Sequence, residues 1–426
     1  LEHPRTSVDW YPLSDSQKRF VRLVKLEAGG KQAGNIGCVI QFDRELDSTL
    51  VEKAWQELVA RHECLNNTID INQERQKWGG AKANSFVEID LSNLQGVSLD
   101  NFLAEQARQE FDLANGPLVK LTLIKGQKTE CYLCLVAHHT VIDGWSFAVL
   151  SAELFTLYQA YQKSQPPKLE LPLNYRNYVT KESERLSAPS LQYWIDQYVK
   201  HPPENLFDVL NNDVRKFAGA RLRRVIAVKS IKNKLKQLAK SMKCTTFILL
   251  FTLFQSYLHQ TYQKKRFTVA ISVANRQFKQ GTSLVGCCVN LLPIICRNET
   301  WDDKLEVLVQ IVKNIFVESI ANQNFSYSKW LEAIAEKFNQ PEYQPIQVSF
   351  NLEPQLVFPD LDTQIVDVLI LPMNYVEFPL ILDILAREDQ LQLQLDYQEM
   401  YFSQTQAEEF LENFVLMIEQ LNNTNF

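Results

Sequence analysis

Residues 131–137 read Cys-Tyr-Leu-Cys-Leu-Val-Ala, apolar at every position, and run straight into His138-His139, a short turn through Asp143-Gly144, and a second apolar-rich segment. A strand that is wet on one face alternates apolar and polar residues; one that is apolar throughout needs cover on both faces. This run is therefore expected to lie centrally in a sheet, with other layers above and below. The segment from about Trp145 to Tyr161 places Val149, Leu150, Leu154, Leu157 and Tyr158 at helical spacing, so a helix follows the turn. A partner strand precedes it from residue 119, through a Gly-containing turn near Lys125–Lys128. Strand, turn and helix in this order point to a mixed α/β chain.

The rest of the chain repeats the theme. Tyr11–Leu26 reads as a helix with side-chain oxygens at Ser14, Asp15 and Ser16 near its start. A strand is expected near Gly37–Phe42. Leu50, Val51, Ala54, Trp55, Leu58 and Val59 then recur at i, i+3 and i+4 behind Asp47 and Ser48, which predicts an amphipathic helix ending at Arg61-His62-Glu63. In the second half, helices are expected near Lys232–Lys243 and Thr245–Gln260, and strands near Phe267–Ala274, Cys288–Cys296 and Gln390–Tyr397. The last helix, Ser403–Leu421, carries Gln406 three residues after Ser403, the spacing of a capping box. A chain of 426 residues exceeds what one hydrophobic core usually holds. Pro166-Pro167 and Pro172 interrupt the pattern, so the expected division is an N-terminal lobe over residues 1–170 and a C-terminal lobe over residues 171–426.

Charge and composition exclude several classes. The formal net charge is -6 with no basic cluster, which argues against a nucleic-acid partner. Apolar runs are too short to span a bilayer, and Leu1 opens no signal-peptide pattern. A first residue other than Met suggests a segment excised from something larger. Eight cysteines lie inside apolar stretches without disulfide-framework spacing, so reduced, buried thiols in a cytoplasmic protein are expected. Cys131 and Cys134 form a CxxC, but on a strand they face opposite sides.

The chemistry concentrates at His138-His139-Thr140-Val141-Ile142-Asp143-Gly144-Trp145-Ser146. Strand neighbours point to opposite faces, so one histidine is expected to pack in the scaffold while the other reaches a substrate. Asp143 holds the turn or pairs with a distant Arg, and Gly144 lets backbone approach a ligand closely. The helix start contributes amide donors and partial positive charge suited to an oxyanion. Trp145 is read as a packing anchor. No third ligand stands in metal spacing, so no metal site is expected.

The stretch from His138 to Ser146 resembles the HHxxxDG active-site motif of nonribosomal peptide synthetase condensation domains. Other segments match the family in order: Ser14, Gln17 and Arg19; Arg61-His62-Glu63-Cys64-Leu65; Phe111-Asp112-Leu113 with Gly116-Pro117-Leu118; Tyr175 and Tyr178; Val273-Ala274-Asn275-Arg276; Gly286-Cys287-Cys288-Val289-Asn290; and Val348-Ser349-Phe350-Asn351. The resemblance spans about residues 12–422. It implies two chloramphenicol-acetyltransferase-like lobes in a V-shaped pseudo-dimer with a tunnel between them. His139 would be catalytic, with His138, Asp143 and Gly144 completing the site. Asp143 would pair with an Arg, Arg61 first and Arg276 or Arg297 as alternatives, and Asn290 and Ser349 would line the tunnel. Departures are Asn66 where Arg is common, Ser16 where Ala is usual, and Cys287-Cys288 in place of an aromatic-containing pair.

The implied reaction joins a donor acyl or peptidyl thioester to an acceptor aminoacyl thioester. Both arrive on phosphopantetheine arms of carrier (thiolation) domains, with no bound cofactor and within a multidomain synthetase. His138, in place of Asp, disfavours heterocyclization, and Trp145-Ser146 disfavours epimerization. The alternatives are a stand-alone acyltransferase making an ester or amide with a soluble acceptor, and an idle condensation-like domain kept to recruit a partner.

Overall fold

The computed structural model describes residues 10–26, 34–79, 85–91, 98–126, 130–214, 217–226, 231–297, 304–339, 345–353, 365–372, 375–386 and 390–423. They form two compact units, and neither is continuous in sequence. The first draws on Leu1–Arg185, Ala274–Val289 and Leu356–Tyr375; the second on Leu186–Val273, Asn290–Gln355 and Val376–Phe426.

In the first unit a five-stranded sheet runs in the order Ile365–Ile370, Asn35–Phe42, Cys131–His138, Val119–Lys125, Phe86–Asp90. Cys131–His138 is the middle strand and is buried at all eight positions, as its unbroken apolar run requires. It pairs antiparallel with both neighbours, Asn35 opposite His138 on one side and Ala137 opposite Val119 on the other. Helices Ser48–Arg61 and Gly144–Gln162 pack on this sheet and on each other. The first of them buries Val51, Ala54, Trp55 and Leu58, and Asp47 caps it by accepting from the amides of Thr49 and Leu50. Tyr11–Pro12 is a short strand paired with Arg75–Trp78, so the opening helix begins at Asp15 rather than at Tyr11.

The second unit holds a six-stranded sheet in the order Asn290–Arg297, Arg266–Val273, Val348–Glu353, Leu380–Ala386, Leu391–Gln398, Gly219–Ile226. Val348–Glu353 runs parallel to both of its neighbours, and the remaining pairs are antiparallel. Helix Thr246–Tyr262 is buried from Ile248 to Leu258, as its near-continuous apolar sequence predicts. The closing helix, Gln404–Asn423, starts with the expected capping box: Ser403 Oγ accepts from the Gln406 amide, and Gln406 Oε1 from the Ser403 amide.

The division expected at residue 170 is corrected on two counts. The proline-rich stretch leads into helix Tyr175–Thr180, whose Tyr175 and Tyr178 bury in the first unit's core, so that unit continues to Arg185. Two pieces of the second half also return to it. Ile365–Ile370 supplies an edge strand beside Asn35–Phe42, and residues 274–289 pack against the turn after His139. Each brings apolar side chains, such as Leu371, Leu284 and Val285, that complete the first core.

Candidate active site

The middle strand ends where its two outer partners still hold it. The His138 amide donates to the Leu118 carbonyl, and the His139 amide donates to the Gly34 carbonyl at 2.6 Å. His138 is fully buried, and its Nδ1 lies 2.7 Å from Thr140 Oγ1. A side chain at Gly34 would touch that ring: its Cβ would lie 3.2 Å from His138 Nε2, and its φ of +91° independently favours glycine. Gln17, from the opening helix, donates to the Thr140 carbonyl at 2.7 Å and fixes the turn from below. His138 is thus the scaffold histidine of the pair.

His139 turns the other way and is half-buried. Its ring stacks on Phe20 with centroids 4.0 Å apart and planes 14° off parallel. Nδ1 is buried and makes no well-aligned hydrogen bond among the described residues. Burial pulls its pKa down to about 4; Asp143 and hydrogen bonding to the backbone of His139 and Ile142 oppose the shift, and the Arg19 guanidinium adds to it. The imidazole is therefore neutral at pH 7.

Asp143, in contrast, has spent its carboxylate. Its oxygens accept from Ser146 N at 3.0 Å and Ser146 Oγ at 2.8 Å, from Arg276 Nη1 and Nη2 at 2.8 and 2.9 Å, and from Cys288 N at 3.0 Å. Burial alone would raise the pKa of Asp143, but the Arg276 guanidinium outweighs it and holds the carboxyl below its usual range. Bidentate geometry of this kind is the strongest form of carboxylate recognition. Arg276 also donates to the carbonyls of Ala274 and Gly286, so one guanidinium fastens residues 274–289 to the turn.

The partner expected first, Arg61, is corrected by this geometry. It stands at the end of its own helix and reaches Glu153 at 2.9 Å, sharing that carboxylate with His62 at 2.7 Å. Arg297, the other alternative, lies at the end of a strand in the second unit. Because Arg276 supplies the pair, Asn66 in the usual Arg position leaves the bridge intact.

Gly144 is the first residue of its helix, exposed, with open space where a Cβ would point. The positive end of that helix faces the Asp143 carboxylate, which caps it, so the anion site expected there already holds the protein's own anion. Trp145 is 40% exposed rather than a packing anchor, and its indole N–H donates to the Thr282 carbonyl at 2.9 Å. Asn290 and Ser349 are buried within the second unit. Both amide hydrogens of Asn290 go to the carbonyls of Gln323 and Phe325, and the Ser349 hydroxyl donates to Ala270 at 3.4 Å. All eight cysteines are free, and all but Cys244 are buried.

Sequence reasoning missed Phe20, Gly34 and the backbone of Cys288. Only Ser146 had a readable signal, the three-residue spacing of a cap after Asp143. The close approach at Gly286 was likewise unread: a Cβ there would fall 2.2 Å from the Tyr175 ring. Tyr175 in turn donates to the Cys287 carbonyl at 2.8 Å.

Known proteins share this arrangement of strands and helices. The Condensation domain family model matches residues 7–424. The chain is 27% identical over 83% of its length to phosphinothricin tripeptide synthetase PhsC of Streptomyces viridochromogenes, covering 33% of that protein. It is 24% identical over 98% of its length to gramicidin S synthase 2 of Aneurinibacillus migulanus, covering 9% of it. The chain therefore spans a third or less of these two relatives. Among solved structures, the first condensation domain of the calcium-dependent antibiotic synthetase, in complex with a substrate analogue, matches with a TM-score of 0.83 at 16% identity. That match covers 98% of this chain and 97% of that one. The condensation domain of Monacolin K polyketide synthase MokA matches at 0.80 and 15%, covering 98% of each chain. At such identities the likeness establishes a shared fold, the two-lobe mixed α/β fold expected from the sequence. The chain belongs to the condensation-domain family of nonribosomal peptide synthetases.

Proposed function

We propose that the chain is an acyltransferase that forms an amide bond between a donor acyl or peptidyl thioester and the amine of an acceptor aminoacyl thioester, with His139 as its catalytic residue. The observation that carries this reading is the unequal use of the motif's polar groups. His138 is bonded to Thr140, and Asp143 is saturated by Arg276, Ser146 and Cys288. His139 directly follows the buried strand, and its ring makes no well-aligned hydrogen bond to another side chain among the described residues. Both thioesters would arrive on phosphopantetheine arms of donor and acceptor carrier domains, so no bound cofactor is needed. The much greater length of the relatives supports a place within a larger synthetase. Eight free thiols favour a cytoplasmic setting. No helix among the described residues is long and apolar enough to cross a membrane.

An acceptor α-amine with a pKa of roughly 7.7–8.0 is partly neutral at pH 7, so the nucleophile needs no strong base to form. Moving a proton from a free ammonium to an imidazole whose pKa is about 4 would be uphill by roughly 4 units, or about 5 kcal/mol. His139 therefore acts later. As the amine nitrogen bonds to the thioester carbon it becomes positively charged and far more acidic, and the neutral imidazole accepts its hydrogen bond and then its proton. Collapse breaks the C–S bond, and the departing thiolate takes up a proton to leave amide and thiol. Holding two tethered reactants at attack distance supplies much of the remaining acceleration.

The test supplies wild type and His139→Ala with loaded donor and acceptor carriers and follows the acceptor's mass. The expected result is transfer of the donor acyl group as an amide, slowed at least about tenfold in the variant with its fold intact. Wild-type turnover by the variant refutes the assignment. A product released as an ester refutes the acceptor class.

A further inference from the structure

Most catalytic histidines are oriented through the ring nitrogen that does not react: a carboxylate or carbonyl holds that N–H and fixes both tautomer and ring plane. At His139 no carboxylate does this, and the groups that favour its ring N–H are the backbone carbonyls of His139 and Ile142. Its Nδ1 is buried and makes no well-aligned hydrogen bond among the described residues, and the nearby Asp143 carboxylate is fully engaged elsewhere. The backbone N–H of His139 is tied to the Gly34 carbonyl. The ring itself is held by its face, stacked 4.0 Å from Phe20. We propose that Phe20 is a positioning residue of this site, an aromatic clamp that fixes the plane of the His139 imidazole through its face. The inference rests on the reading of His139 as catalytic.

Phe20 is itself well fixed. It is 4% exposed, on helix Asp15–Leu26, and clusters with Leu23 and Cys287. Gly34 closes the other end: its φ of +91° favours glycine, and a Cβ there would crowd the His138 ring at 3.2 Å and touch Phe20 Cδ1 at 3.5 Å. A ring held in this way keeps one edge sealed and one face covered, leaving the opposite edge to meet a substrate. The clamp also removes water from the imidazole, in the same direction as its depressed basicity. The charged and titratable groups around it, among the described residues, are Arg19 on the helix of Phe20, with its guanidinium 4.7 Å from the Phe20 ring; His138 and Asp143 on the strand and turn; Arg276, Cys287 and Cys288 from the returning segment; and Tyr375, packed against the Phe20 cluster. Arg19 and burial favour the neutral ring, while Asp143 favours the cation.

Two variants separate orientation from packing. Phe20→Leu keeps an apolar side chain but removes the stacked ring; Phe20→Tyr keeps the ring. His139 is read directly by NMR titration, its resonances assigned by their loss in His139→Gln, and turnover is followed with aminoacyl N-acetylcysteamine thioesters as probes. In wild type the His139 ring protons are expected upfield, under the Phe20 ring. In Phe20→Leu that shift is lost, the pKa rises by at least about one unit, and kcat falls roughly tenfold with KM within about twofold. Phe20→Tyr stays near wild type in all four. Absence of the ring-current shift in wild type, or a Phe20→Leu protein that folds with unchanged His139 pKa and kcat, overturns the clamp. Because the clamp is read on the imidazole, its failure is distinct from failure of the assigned reaction, which His139→Ala tests.

Discussion

Replacing Arg276 by Leu leaves the Asp143 carboxylate buried without its counter-charge. Asp143 is 1% exposed and Arg276 is 5% exposed, so solvent cannot make good the loss. Breaking a buried pair by removing one partner costs roughly 3–5 kcal/mol. Asp143 keeps three protein donors, Ser146 N, Ser146 Oγ and Cys288 N, which sets the expectation at the low end, about 3 kcal/mol. Against a total stability of about 5–15 kcal/mol for a typical native protein, that is a large fraction. The pH dependence gives the sharper signature. With Arg276 present the folded pKa of Asp143 lies below its ordinary value, so the pair's contribution is complete above that ordinary value and is lost only as pH falls through the lower, folded one. Without Arg276, burial dominates and the folded pKa moves above the ordinary value. Acid then protonates Asp143 in the folded variant and relieves the penalty. The gap between wild type and variant should be widest near pH 7 and narrow as pH falls toward the carboxylate range. Urea unfolding at several pH values measures it, and amide exchange across Gly144–Gln162 reports whether the loss is local to the first unit. A gap under about 1 kcal/mol at pH 7, or one that widens in acid, refutes the reasoning.

Two further outcomes follow from the geometry. Gly286→Ala must push a Cβ into the Tyr175 ring and should cost about 1–3 kcal/mol in urea unfolding, whereas Gly144→Ala meets open space and should leave stability unchanged or slightly raised. In the pH profile of the carrier-loaded reaction, turnover should rise with the acceptor amine, near pH 7.7–8.0, and show no inflection near 6.5, because His139 is already neutral there. An inflection near 6.5 that disappears in His139→Ala would contradict this.

What the sequence made legible was what depends on neighbours along the chain. The buried strand Cys131–His138 followed from its unbroken apolar run, the helices after Asp47 and Ser403 from their spacing and caps, the helix after Thr245 from its apolar run, and the unequal burial of His138 and His139 from the alternation of a strand. What stayed hidden depends on chain reversal over long distances. Phe20 meets His139 and Arg276 meets Asp143 only because segments far apart pack together, and no local pattern records which arginine of several will arrive. Arg61 was a reasonable choice by motif, yet Glu153 stands nearer to it. The family's ordered motifs identified residues 274–276 and 286–290 as important, without saying that most of that stretch is built into the other unit.

That interleaving has a consequence for synthesis and recombination. A ribosome that has released residues 1–185 has made most of the first unit, yet Asp143 still lacks its cation and the strand Asn35–Phe42 has one open edge. Arg276 emerges only after two of the second sheet's six strands, and the edge strand Ile365–Ile370 only after four. The halves of this chain are therefore poor units of exchange. A chimera joined anywhere between residues 186 and 273 would marry one parent's HHxxxDG turn to the other parent's arginine staple and edge strand, and would succeed only where those far-apart pieces still fit.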